Sequence, residues 1–293
     1  MALARSDPGE APRELPGRLV RVALPLAALL LVAIFVLILF PYGRFREIAV
    51  ARLGQATGAS VSLEELSGGL SIGGPCLTAT KLSLRWPDRR ELLLERAEIR
   101  PAWSFSWVRG EPALHLEVTG PAGSATGTLW PGASLAFAGD ARGIELALLP
   151  LDRLADPPPV LGRVDAEIDL RQGSTGPIGS IRFVSWDGSV ALPDLPFGIP
   201  FQEARGEIRR SDSGAITVRG FELSGPMLSA SLEGTIAPSG RREEGALDLQ
   251  GELLAADPAL RSMIQPYGLR FGPDGAARFR VSGTASRPVL SQR

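Results

Sequence analysis

From Ala59 almost to the carboxy terminus, apolar and polar residues alternate with a period of two, as in a β-strand wetted on one face. Leu82, Leu84 and Trp86 alternate with Lys81, Ser83 and Arg85, and Leu114, Leu116 and Val118 with His115, Glu117 and Thr119. Val164, Ala166, Ile168 and Leu170 alternate with Arg163, Asp165, Glu167, Asp169 and Arg171. Further on, Leu247 and Leu249 alternate with Asp248 and Gln250, and Ala277, Phe279 and Val281 with Arg278, Arg280 and Ser282. One apolar and one charged face per strand is the mark of an antiparallel sheet with one side in water. The apolar set Leu82, Leu84, Leu114, Leu116, Val118, Val164, Ala166, Ile168, Leu170, Leu247 and Leu249 is therefore the candidate core or groove face.

Gly-Pro pairs at Gly120-Pro121, Gly176-Pro177, Gly225-Pro226 and Gly272-Pro273 punctuate the strands, and no long helical pattern separates them. Parallel βαβ architecture needs crossover helices, so it is excluded. Residues 150–160, with Pro157, Pro158 and Pro159, form a Pro-rich connection between a first β-region, 59–149, and a second, 161–293. The expected fold is mainly β: an N-terminal transmembrane helix, then an antiparallel, repetitive sheet arranged as a sandwich or a curved open groove.

The helical part is confined to the start of the chain. Residues 22–40 run without a charge, and 19 residues at helical rise span about 28 Å, the thickness of a bilayer's hydrocarbon core. The run ends in Leu39, Phe40, Pro41 and Tyr42 rather than in small residues, so it reads as a retained anchor and not as a cleaved signal peptide. Arg5, Arg13, Arg18 and Arg21 precede it, against Arg44, Arg46 and Arg52 after it. That slight excess puts residues 1–21 in the cytoplasm. The implied location is a bacterial inner membrane, crossed once, with the bulk of the chain periplasmic. Residues 41–58 read as a juxtamembrane amphipathic helix with Phe45, Ile48, Ala49, Leu53 and Ala56 on one side, closed by Gly58. It is expected either at the membrane surface or against the end of the sheet.

Composition narrows the function. The 293 residues include 34 glycines and 25 prolines, suiting a fold of many turns, and a hydrophobic content of 44% suffices for a core. A net charge of −1 gives no electrostatic footprint for nucleic acid. His115 is the only histidine and Cys76 the only cysteine, so no histidine-based triad, thiol–imidazole pair or metal cluster can be assembled. Asp165, Glu167 and Asp169 share a strand face, but Arg163 and Arg171 bracket them, which favours a solvated face over acid–base chemistry. Trp103 and Trp107, four apart, are expected to pack on the sheet or to anchor at an interface. No enzyme activity, cofactor or metal is expected.

Several stretches resemble type II secretion system protein N. They are FPYGRFREIAVARLGQATGASVSLEELSGG at 40–69, RPAWSFSWVRGEPALHLEV at 100–118, GRVDAEIDLRQGSTGPIGSIRF at 162–183, VALPDLPFGIPFQEARGEIR at 190–209 and RFRVSGTASRPVL at 278–290. The resemblance implies a non-enzymatic accessory subunit of the secretion machinery, anchored in the inner membrane and contacting other secretion subunits. The layout is also similar to AsmA-like proteins, which implies an alternative: an apolar β-groove that binds or transfers phospholipid. Alternation serves both a sheet packed on partners and a groove sheltering lipid.

Overall fold

The computed structural model describes residue 31 and residues 42–71, 74–87, 91–103, 110–132, 135–149, 160–191, 198–238, 245–284 and 287–292. The expected anchor at 22–40 lies, apart from Leu31, outside the described residues, as do Trp107 and most of the Pro-rich connection. No helix among the described residues is long and apolar enough to cross a membrane. Gly43–Arg293 forms one compact unit.

Helix α1 spans Tyr42–Thr57. It ends where Gly58 takes φ 63° and donates its N–H to Gly54 O at 2.8 Å, the left-handed cap that glycine adopts without strain. Val50 meets the first buried cluster, whereas Phe45, Ile48 and Leu53 are exposed. Apolar residues stand on two sides of this helix, so composition alone does not tell which side finds the sheet.

Fourteen strands follow: β1 (Ser60–Ser71), β2 (Gly74–Arg85), β3 (Glu91–Pro101), β4 (Leu114–Gly120), β5 (Gly123–Trp130), β6 (Ala136–Glu145), β7 (Val160–Gly173), β8 (Gly176–Ala191), β9 (Gly198–Arg210), β10 (Ile216–Ser224), β11 (Leu228–Ile236), β12 (Ala246–Ala255), β13 (Ala276–Thr284) and β14 (Arg287–Gln292). They form one sheet in sequence order, each strand antiparallel to the next, and β1 does not pair with β14. Among the described residues all the strands belong to one hydrogen-bonded sheet. β6 pairs directly with β7, so the sheet continues across the Pro-rich connection.

An antiparallel meander puts the starts of odd strands and the ends of even ones on a common rim. Both buried clusters lie on that rim. The first comprises Ala59, Leu63, Leu82, Leu84 and Trp86, sealed by Val50, with Trp86 Nε1 donating to Thr57 O at 3.3 Å. The second comprises Ile199, Leu228, Ala255, Leu260, Ile264, Leu269 and Ala277. It is completed by the short helix α2 (Pro258–Ile264), which buries Leu260 and Ile264. Asp257 caps α2 by accepting the Ala259 N–H at 2.8 Å, and Pro258 holds the first helical position, where its missing donor costs nothing. Asp257→Ala should lower stability by about 1 kcal/mol, read as a shift in the unfolding midpoint.

Candidate functional site: a continuous apolar face

Directly opposed residues in an antiparallel pair share a face, so the register carries a face from strand to strand. Beginning at Gly68, successive partners are Leu77, Ile99, Leu116, Gly127, Gly139, Ile168 and Ile181. They continue through Ile208, Val218, Gly234, Leu249 and Val281 to Leu290. This row crosses every strand without meeting a polar side chain. A parallel row runs through Leu66, Ala79, Ala97, Val118, Ala125, Ala141, Ala166 and Phe183. A third begins Leu114, Leu129, Phe137, Leu170 and later passes Ile236 and Leu247.

All the apolar positions singled out from the alternation thus fall on one face. Leu116, Ile168 and Leu249 lie in the central row, Val118 and Ala166 in the second, and Leu114, Leu170 and Leu247 in the third. Val164, opposite Ile144 and Ser185, is one step nearer the rim that carries the helices. Leu82 and Leu84 are buried in the first cluster. They keep to the same face although the apolar phase slips by one at Lys81, whose φ is +50° and whose Nζ meets Glu64 at 2.8 Å. Leu66 and Ala79, beyond the slip, pack against that cluster too. Apart from Leu82 and Leu84 these positions are only half-buried among the described residues.

Glycines in these rows work with aromatic rings. A Cβ on Gly127 would strike the Phe137 ring, and one on Gly251 the Phe279 ring. Phe201 lies over Gly188 in the same way, its cross-strand partner. A ring laid over a facing glycine restores apolar contact where a side chain would not fit. Register shifts between β6 and β7, β7 and β8, β9 and β10, and β10 and β11 add bulges, which bend and twist strands.

The opposite face is ionic. Arg182 meets Glu167 at 3.2 Å, Arg280 meets Asp248 at 2.9 Å, Arg278 meets Glu252 at 3.3 Å and Arg209 meets Glu207 at 3.0 Å. Arg205 Nε donates to Glu222 at 2.9 Å, and that carboxylate holds the Arg205 guanidinium above its ordinary value. Hydrogen bonds from Ser83 and Arg85 hold the Glu91 carboxyl below its ordinary value. Of the carboxylates Asp165, Glu167 and Asp169, Asp165 accepts the Gly143 N–H at 2.7 Å and Glu167 is ion-paired, so both serve the sheet. His115 is on this ionic face, opposite Thr128 and Arg100, and Cys76 is opposite Gly69. Among the described residues no three His, Cys, Asp or Glu side chains are placed to hold a metal.

The alternation marked only some of the strands. It passed over β5, β6 and β11, whose inward positions include Ala125, Gly127, Ala141, Ala230 and Gly234; small residues give little apolar contrast. Their signal is smallness at every second position, which identifies a face only once the neighbouring strands are known.

No family model, no curated protein and no solved structure matches this chain.

Proposed function

We propose that the protein is a non-enzymatic lipid-binding protein, held at a bacterial inner membrane, whose apolar sheet face shelters the acyl chains of phospholipid. One observation carries this reading: an apolar row unbroken across 14 strands, whose large side chains are half-buried or exposed among the described residues. At strand spacing the row is about 60 Å along its contour, twice the roughly 30 Å of a bilayer's hydrocarbon core. With its two flanking rows it covers on the order of 1,000 Å², more than the largest apolar patch of an ordinary soluble monomer. A face of this extent calls for an apolar occupant, and a long, narrow, directionless surface suits alkyl chains better than a compact ligand. The ion-paired opposite face supplies solubility on the other side.

The test is photocrosslinking of the membrane-reconstituted full chain with a phospholipid that carries a photoactivatable acyl chain. Crosslinks should map to the apolar rows, at positions such as Ile168 and Leu249, and avoid the Glu167 face. Crosslinks confined to residues 22–40 would overturn the proposal.

A second reading, that of a type II secretion subunit working through partner contact, has its own support. Every residue of β14 is exposed, and β14 is an edge of the sheet, to which a partner strand can add. A lipid-free complex with other secretion subunits, together with no crosslinking on the apolar rows, would favour it.

A further inference from the structure

Near the rim that carries the helices, the ionic face holds an aromatic ring. Glu145, Arg163, Trp186 and Glu203 are directly opposed from β6 to β9, so they share that face with neighbours about 5 Å apart. Two irregularities lie beside this row. At Gly162, φ +136°, the register of β7 with β8 shifts, and Asp187 takes φ +50°. Here the surface sinks into a hollow of about 490 Å³ lined by Glu145, Leu161, Gly162, Arg163, Trp186 and Asp187. That size falls within the roughly 300–1,000 Å³ of small-molecule clefts. Trp186 is 40% exposed and Leu161 50%, although charged groups surround them. Asp187 and Lys81 are the two non-glycine residues with positive φ among the described residues. Lys81 is held by Glu64, whereas the Asp187 carboxylate and the Trp186 N–H make no hydrogen bond among the described residues.

We infer that this hollow binds the pyranose ring of a neutral saccharide, with the apolar side of the sugar against the Trp186 indole and its hydroxyls on Asp187, Arg163 and Glu145. The lining selects that class by elimination. Arg163 and Glu145 stand 3.8 Å apart and offset each other, so together they offer a donor and an acceptor with no net charge. An organic cation drawn to the ring would meet the Arg163 guanidinium at the next position along the row. An anion drawn to Arg163 would meet the carboxylates of Glu145 and Asp187. An alkyl chain would strip water from these ionised groups without pairing them. A sugar ring meets none of these obstacles: it is uncharged, its C–H side is apolar, and its hydroxyls both donate and accept. Gly162 contributes by placing no side chain between Arg163 and Leu161. The hollow is on the side of the sheet opposite the apolar rows, so the inference stands independently of lipid binding there.

The test is saturation-transfer difference NMR on the full chain in nanodiscs of phosphatidylethanolamine and phosphatidylglycerol, prepared without glycoside detergents and with empty nanodiscs as blank. The saccharide probes are cellobiose, maltose and N,N′-diacetylchitobiose; choline and glycerol phosphate are the charged comparisons. Saturation should pass to the ring protons of at least one disaccharide, and more strongly than to choline or glycerol phosphate. Trp186→Ala should weaken that binding about tenfold or more, as loss of an aromatic anchor does. Trp103→Ala, which removes a ring 60% exposed elsewhere, should leave it unchanged. Asp187→Gly keeps the left-handed backbone without strain, so weaker binding at an unchanged unfolding midpoint reports the lost carboxylate and not a lost fold. Hexasaccharides of the same linkage that bind more tightly than the disaccharide identify a unit of a longer glycan, and equal binding identifies a free sugar. No transfer to any saccharide, stronger transfer to choline or glycerol phosphate, or undiminished transfer with Trp186→Ala would overturn the inference. Acyl-chain crosslinking on the apolar rows should be the same in Trp186→Ala as in the parent, which keeps the two readings apart.

Discussion

Ile168→Asp should leave the protein folded and abolish acyl-chain crosslinking along the apolar rows. Ile168 stands in the central row between Gly139 and Ile181 and is half-buried, so an aspartate there can stay ionised and hydrated. The expected cost to stability is about 1–2 kcal/mol, from the lost cross-strand contact with Ile181 and the poor strand propensity of aspartate. Under a packed layer the same change would strand a carboxylate in apolar surroundings and cost several kcal/mol. The effect on lipid is large because a charge in mid-row interrupts the apolar path while the backbone ladder survives. Glu167→Gln, one position along and on the ionic face, should change stability by less than about 0.5 kcal/mol and leave crosslinking unaltered. Thermal unfolding by circular dichroism, with crosslink yield on the same samples, reads both. An unfolded Ile168→Asp protein would mean that the face is covered; equal crosslinking by both variants would mean that lipid does not use it.

The largest loss of stability from a single methyl group is expected at Gly179→Ala. Gly179 holds φ +136°, a region L-residues rarely enter, and a Cβ there would overlap the carbonyl oxygen of Asp169 on the neighbouring strand. Backbone, unlike the end of a side chain, cannot swing aside. Strain at φ costs about 1–3 kcal/mol, and with the displaced ladder the total should reach about 3–5 kcal/mol. Gly234, at φ +142° and facing the Asp248 carbonyl oxygen, meets the same obstacle. Gly132 has nothing within 4 Å of a built Cβ, so Gly132→Ala should stay within about 0.5 kcal/mol of the parent. Denaturant unfolding of the two alanine variants makes the comparison, and equal midpoints would refute the pairing of β7 with β8.

What the amino-acid sequence determined by itself is what depends on near neighbours. The period of two in Val164–Leu170 commits β7 to a strand with one apolar side, since successive side chains must point to opposite faces. Gly58 after Thr57 sets the end of α1, and Gly-Pro pairs break the chain into hairpins, which pair antiparallel. The tertiary structure decided whatever depends on partners distant in sequence. The faces join into one row only because registers and bulges keep Leu116, Ile168 and Leu249 in phase over more than a hundred residues, and a one-residue slip at any pair would have split them. The side of α1 that packs was settled by which side chain, Val50 or Ile48, met the first cluster. That the strands join one hydrogen-bonded sheet in sequence order, and not two, was likewise a tertiary outcome. Periodicity cannot report it, because a strand buries the same alternate side chains against a second sheet as it would offer to a lipid.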